Sequence, residues 1–258
     1  MIFEEVKHDS LPRRKDRRSM SKFDDNFREE MKKKLGVELL GAASVDSGPP
    51  VLKERTCALL PGAKSVVVFG KEMYKEVVAL LRPSKGVGEA DAGELIGPHG
   101  DFLNGRLTRA VYELADLLRR EGYRSLPLPA AGCPVDQRSL RAVFSYKHAA
   151  ESAGLGTIGR HTLLITPQYG PRQRLACLLT EAPFEFSSGT GEKNVCINCD
   201  ACLRACPAQA LKEPVPGQAY SMNPFACRTY RQTGLTCGVC LRACDEALES
   251  VVSKRDRS

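Results

Sequence analysis

Cys196-Ile197-Asn198-Cys199-Asp200-Ala201-Cys202-Leu203-Arg204-Ala205-Cys206-Pro207 carries four thiols at the spacing C-x2-C-x2-C-x3-C-P. Three closely spaced thiolates can grip three corners of one 4Fe-4S cubane, while the next turn carries the fourth towards a neighbouring cluster. A second set follows at Cys227, Cys237, Cys240 and Cys244, and Cys-Leu-Arg-Ala-Cys occurs at both 202–206 and 240–244. Crossing the fourth members predicts one cluster on Cys196, Cys199, Cys202 and Cys244, and another on Cys206, Cys227, Cys237 and Cys240. The second run is irregular, because nine residues separate Cys227 from Cys237 and Asp245 stands where proline would follow Cys244. Structural zinc on Cys199-x2-Cys202 and Cys237-x2-Cys240 is the alternative. It leaves Cys196, Cys206, Cys227 and Cys244 without a role. Cys57, Cys133 and Cys177 lie outside both sets and are expected as buried free thiols.

Around this run the chain has 258 residues, enough for one good α/β core and a small appendage. Apolar residues make up 42% and charged residues 27%, and no stretch approaches the roughly 18 uninterrupted apolar residues of a membrane span. No membrane partner is expected. The first residues, MIFEEVKHDSLPRRKDRR, lack the apolar core of a secretory signal, so a cytoplasmic location is expected. In that reducing compartment the eleven cysteines point to metal or redox chemistry rather than disulfides. The formal charge of +7 counts every cysteine as neutral. Two oxidised cubanes with their thiolates bring it to roughly +3. Tryptophan is absent and aromatics are 6%, so stacking platforms for single-stranded nucleic acid are not conspicuous.

Three segments are expected. Residues 1–22 hold seven Lys or Arg and little that could enter a core, and read as a mobile basic arm. Residues 23–186 read as an α/β (α+β) domain: a helix to Gly36, strands at 37–43 and 64–70, and a helix on Leu103, Leu107, Val111, Leu114 and Leu118 that Gly122 closes. A strand at 123–128, a helix over 139–152, and strands at 162–166 and 172–180 complete it. Residues 82–101 are rich in Gly and charge and read as a long loop that could close over a site. Residues 187–258 follow a Ser/Gly/Thr linker and hold the eight paired cysteines.

Gly154-x-Gly156-x-x-Gly159 satisfies a dinucleotide-binding spacing, but that fingerprint needs a strand before it and a helix after it. Here the order is reversed, so the glycines read as a tight helix-to-strand connection permitting close backbone approach, by a flat cofactor or by another strand. The run Ala153-Gly154-Leu155-Gly156-Thr157-Ile158-Gly159-Arg160-His161-Thr162, then Tyr169-Gly170 and Leu179-Thr180-Glu181-Ala182-Pro183, followed by the cysteines, resembles epoxyqueuosine reductases and their short relatives. The similarity runs from about Leu103 to Cys244. It implies a nitroreductase-like cofactor domain followed by a small ferredoxin-like double-cluster module, a core shared with reductive dehalogenases. It also implies cobalamin, with Gly154, Leu155, Gly156, Gly159, Arg160, His161 and Tyr169 as cofactor-binding candidates. A flavin is the alternative cofactor. Three departures stand out: Thr157 replaces the usual tryptophan, Arg160 replaces the usual lysine, and the catalytic aspartate of the tRNA-modifying members has no counterpart except the earlier Asp136.

Tyr146, Lys147 and His148 precede the glycine loop, and each residue type can donate a proton in a reduction. At most one of three successive helical residues is expected to face a pocket. Arg172 and Arg174 lie two apart on one strand, hence on one face, and suit either anion binding or a solvated edge. The expected function is an oxidoreductase passing electrons from two 4Fe-4S clusters to a bound corrinoid to reduce an electrophilic substrate. The alternative is an electron-transfer protein that reduces a partner's corrinoid or flavin without turnover of its own. An external donor such as ferredoxin or flavodoxin, and tRNA or a corrinoid protein, are the expected partners.

Overall fold

The computed structural model of the protein describes residues 23–82, 91–186, 195–232 and 237–255. The basic segment 1–22 and the linker at 187–194 lie outside them. In chain order the elements are α1 (Asp25–Leu35), β1 (Leu39–Ser44), α2 (Pro50–Leu59), β2 (Ser65–Glu72), α3 (Lys75–Ala79), α4 (Ile96–Arg120), β3 (Ser125–Leu128), β4 (Val135–Asp136), β5 (Arg141–Ala142) and α5 (Tyr146–Ser152). After α5 come β6 (Thr157–Ile158), β7 (Leu164–Ile165), β8 (Gln173–Thr180), α6 (Ala201–Ala205), α7 (Pro224–Gln232) and α8 (Val239–Arg255).

The main sheet has the order β1-β2-β8-β3 with every neighbouring pair antiparallel. Val67, Phe69, Ala176 and Leu178 point to one face, where Leu107, Val111, Leu114 and Leu118 of α4 and Met31 of α1 cover them. Val66, Val68, Cys177 and Leu179 point to the other, against Leu52 of α2 and Ala149 and Ala150 of α5. The two central strands are therefore buried on both faces, which is why their sequences run apolar without alternation. Helix α1 is closed at both ends by its own sequence: Asp24 accepts from the Phe27 N–H at 3.0 Å, and Gly36 takes the left-handed φ of 62°. Each satisfies backbone groups that a helix end leaves unpaired.

Three expectations are corrected. The loop expected over 82–101 is helical from Ile96, and its residues 83–90 lie outside the described ones. Asp91 accepts from the Gly93 N–H at 2.8 Å and starts a 3-10 turn, Ala92–Leu95, that runs into α4. Pro98 is tolerated because it lies in the first turn of α4, whose N–H groups have no partner within that helix. Gly100 has a packing reason, since a Cβ there would lie 2.4 Å from Arg174 Nη2.

The helix expected over 139–152 begins only at Tyr146, because Asp136 captures the Arg138 N–H at 2.9 Å and the Ser139 hydroxyl at 3.1 Å. That side-chain turn folds 135–142 into the β4–β5 hairpin. The strand expected at 162–166 shrinks to Leu164–Ile165, as Thr162 adopts a φ of +62° that no strand accommodates.

Candidate metal centres and the adjoining cleft

The first cysteine run lies around the short helix α6. In the Cys196–Cys202 segment, Asn198 and Asp200 take positive φ angles of 55° and 58°, a region these two residue types enter more readily than most. Both copies of Cys-Leu-Arg-Ala-Cys lie largely on helices, α6 and α8, which pack against each other. One pocket is lined by Cys196, Cys199, Cys202 and Cys244 together with His161 and Ile165. Those four cysteines are the crossed set.

Thiol electrostatics divide along the same line. Burial pushes the Cys244 thiol well up, with Cys202, Cys196 and Cys199 adding to it. Burial pushes Cys240 up to about 12, with Cys237, Cys206 and Cys227 the next contributors and Cys202 behind them. Cys227 is raised by burial, with Cys237 and Cys206 adding and Arg231 opposing. Such buried, mutually repelling thiols favour the protonated form until a metal replaces the proton. Among the described residues no three His, Cys, Asp or Glu groups converge tightly enough to hold one metal ion. The first four thiols ring a pocket instead. The Ala210 N–H already donates to Cys206 Sγ at 3.3 Å.

The glycine loop is the partner of this region. Arg160 Nε donates to Asn198 Oδ1 at 3.2 Å, and its Nη1 pairs with Asp200. Thr157, in the place of the tryptophan, accepts the Val195 N–H at 3.3 Å. Gly154 takes a φ of +71°. Gly156 faces protein: a Cβ there would lie 2.1 Å from the Ile165 carbonyl oxygen. Gly159 abuts Ile165 Cδ1, and Leu155 packs on Gly41 of β1. Of the two approaches the sequence left open at Gly156, the structure has another strand there, β7.

His161 is 2% exposed. Its Nδ1 accepts the Leu163 N–H at 3.0 Å, while Nε2 has no protein partner. Burial, with Lys147 adding, pushes its pKa down to about 4, so the ring is neutral near pH 7. Tyr169 lies elsewhere, with its N–H on Thr166 Oγ1 at 3.2 Å and its phenol close enough to Glu72 and Arg172 to feel their charges. The cofactor candidates therefore divide among β7, the cysteine pocket and the Glu72 region.

Lys147 and His148 both line an open cleft of about 410 Å³, opposite Gln218, Tyr220 and Met222. Two of the three proton-donor candidates thus share a cavity, one more than expected, because the short helix α5 lies along the cleft wall. Lys147 Nζ donates to the Thr162 carbonyl, and burial lowers its pKa. Ser145 Oγ and His148 Nδ1 are 2.7 Å apart, and burial followed by the Lys147 charge lowers the His148 pKa. Tyr146 turns to the core, where its hydroxyl donates to the Pro129 carbonyl at 2.8 Å and burial raises its pKa. Asp136 is bound into its own turn, and hydrogen bonds from the Arg138 backbone and side chain hold it below the usual carboxylate range.

Neither strand arginine is a solvated edge. Arg172 pairs with Glu72 and Asp245, and Arg174 is pressed against Gly100 with an unpartnered Nε. Sequence reasoning missed the 218–222 wall and the Arg160–Asp200 pair. The wall is an irregular segment far away in the chain with no periodic signal, whereas the Asp at 200 inside a cysteine run was a readable charge.

No family model matches the chain. An epoxyqueuosine reductase of Listeria monocytogenes is 41% identical over 81 residues, 31% of this chain and 20% of that protein. A tetrachloroethene reductive dehalogenase of Desulfitobacterium hafniense is 32% identical over 183 residues, 68% of this chain and 27% of that protein. The matched part thus spans about a quarter or less of these relatives. Among solved structures, a catabolic reductive dehalogenase superposes with TM-score 0.61 at 20% identity, covering 83% of this chain and 30% of that one. The epoxyqueuosine reductase of Streptococcus thermophilus gives TM-score 0.51 at 19% identity over 83% of this chain and 59% of that one. These structural likenesses speak for the fold, a mixed helix-and-sheet architecture, and the sequence matches for descent. The chain is a homologue of the epoxyqueuosine reductases and the reductive dehalogenases.

Proposed function

We propose that the protein is an iron–sulfur oxidoreductase with a nitroreductase-like domain over 23–186 and a ferredoxin-like module over 187–258, working on a corrinoid and an electrophilic substrate. The observation that carries this reading is the pocket lined by Cys196, Cys199, Cys202 and Cys244, four cysteines from two distant stretches of the chain. Cys196, Cys199, Cys202 and Cys244 would hold one cubane, and Cys206, Cys227, Cys237 and Cys240 the other. When bound, such clusters supply one-electron transfer and a corrinoid supplies the reduction of an electrophilic carbon.

The open cleft between α5 and residues 218–222 is of the size that takes a sizeable ligand, and its wall has the polar groups to orient one. Tyr220 Oη and Arg160 Nε both reach Asn198 Oδ1, so the cleft wall and the glycine loop meet on the cysteine segment. Lys147, with its pKa lowered by burial, holds a proton at Nζ that is released more readily than from a solvated lysine, as proton donation to a reduced product requires. Glu151, beside Lys147 and His148 on α5, accepts the Ile158 N–H at 2.7 Å through Oε1 and ties that wall of the cleft to β6. The homologues are reductases by name, which favours turnover at this site over the electron-transfer alternative. A cytoplasmic location, a ferredoxin or flavodoxin donor, and tRNA or a corrinoid protein as the partner belong to the same proposal. Of the described helices, none is long and apolar enough to cross a membrane.

The test is anaerobic reconstitution followed by gel filtration with hydroxocobalamin or with a flavin. About eight iron and eight sulfide per chain and a co-eluting stoichiometric corrinoid band are expected. A flavin spectrum that survives the column replaces the corrinoid. Zinc without sulfide overturns the proposal.

A further inference from the structure

Among the described residues, three buried side-chain polar atoms have no protein partner: Thr56 Oγ1, His161 Nε2 and Arg174 Nε. Of these residues His161 lines the pocket ringed by Cys196, Cys199, Cys202 and Cys244. Its tautomer follows from its neighbour. Nδ1 accepts the Leu163 N–H at 3.0 Å and so carries no proton, which leaves the proton of a neutral imidazole on Nε2. A buried N–H without an acceptor forfeits its hydrogen bond to water, and native folds rarely leave one so. The Arg160 guanidinium beside it is turned to Asn198 and Asp200 and supplies no acceptor.

We propose that His161 Nε2–H is a hydrogen-bond donor to a sulfur of the cluster held by Cys196, Cys199, Cys202 and Cys244, and that it raises the reduction potential of that cluster above what the thiolates alone would set. The inference rests on the two-cluster reading. The cluster's sulfurs are acceptors, and their potential depends on the hydrogen bonds they receive. Reduction adds negative charge to the cluster and its thiolates, so an N–H donor strengthens its bond to the reduced form. Loss of the donor makes reduction harder. His161 also follows Arg160, whose grip on Asn198 and Asp200 ties the imidazole to the same loop that carries Cys196 and Cys199. Cluster and donor therefore share one anchoring point.

The experiment is an EPR-monitored redox titration of parent, His161→Phe and His161→Gln proteins, each with iron counted. In His161→Phe the midpoint of one cluster is expected to shift to more negative potential while the other stays in place. His161→Gln, which keeps a donor, is expected to recover part of the shift. Two unmoved midpoints in a His161→Phe protein that retains the parent's iron overturn the inference. Should His161→Phe lose iron, pulsed EPR of the reduced parent labelled with 15N-histidine decides. A weak coupling to one imidazole nitrogen and its exchangeable proton supports the bond, and their absence overturns it. A parent protein that shows no cubane signal refutes the two-cluster reading instead, so the two failures are distinguishable.

Discussion

Arg172 Nε donates to Asp245 Oδ1 at 2.9 Å, joining the residue before the central strand β8 to the residue after the last paired cysteine. Both side chains are about nine-tenths buried, at 11% and 10% exposure, and Arg172 also pairs with Glu72 and donates to the Met73 carbonyl at 3.0 Å. Proline in place of Asp245 would have no carboxylate to offer. The departure from the regular cluster run is thus a structural tie between sheet and module. Arg172→Met leaves two carboxylates without their cation, and losing one partner of a buried pair costs about 3 to 5 kcal/mol. Chemical denaturation should show a loss near the lower figure, since Glu72 is a third exposed, together with reduced iron content. Unchanged stability would mean the tie is idle.

The crossed cysteine sets predict which substitutions fail together. Cys244→Ser should remove the same EPR signal as Cys199→Ser, although the two positions lie on α8 and before α6. Cys206→Ser should remove the other signal, as should Cys237→Ser. Each variant should keep roughly four of the eight irons, because a cubane takes four ligands. Cys133→Ala, outside both sets, should keep all of them. Sequential pairing, in which Cys206→Ser abolishes the signal of Cys196 to Cys202, would contradict the assignment.

The central strands and α4 were legible because their signal is local: Val66 to Phe69 and Leu175 to Leu179 are continuous apolar runs, and Leu103 to Leu118 repeats at helical spacing. The whole of that leucine and valine stripe is buried. The hairpin at 135–142 was not legible, although its device was visible as Asp136 two residues before Arg138, because apolar periodicity outweighed a side-chain turn. In the site, the eight cysteines were readable by spacing. The fates of the glycines were not, since the proximity of Gly156 to Ile165 arises from a chain reversal through Thr162, whose positive φ no residue preference announces. His161 was legible as a candidate but not as a buried, half-satisfied ring.

Gly156→Ala should destabilise the protein whether or not a cofactor binds. The Cβ would sit 2.1 Å from the Ile165 carbonyl oxygen, with the Ile165 carbonyl carbon at 2.9 Å and Thr166 Cα at 3.0 Å. All three are backbone, which cannot swing aside as a side chain does. The variant should lose stability at the upper end of the about 1–3 kcal/mol typical of overpacking, read by urea denaturation. Since β7 carries Ile165 on the wall of the cysteine pocket, iron content should fall as well. A variant as stable as the parent would require β6 and β7 to separate, visible as faster amide exchange at the Thr157–Ile165 pair.

Glu181 offers a pH test away from the cysteine pocket. Its Oε1 accepts Arg124 Nη2 at 2.7 Å and Nε at 2.9 Å, and its Oε2 accepts the Arg124 N–H at 3.1 Å. The Arg124 hydrogen bonds hold the carboxyl below its ordinary range, against a push from burial. A carboxylate with a depressed native pKa binds protons more readily in the unfolded chain, so its contribution is whole above the unfolded value and is lost as pH falls through the native one. Glu181→Gln should therefore be slightly less stable than the parent at pH 7, and the gap should close on acidification through the carboxylate range. Loss of clusters in acid is common to both proteins and cancels in the difference. Arg124 is exposed, so the gap should also shrink at high salt. A gap that widens as pH falls, or one indifferent to salt, would show that the glutamine variant is weakened through its packing and that the ion pair contributes nothing.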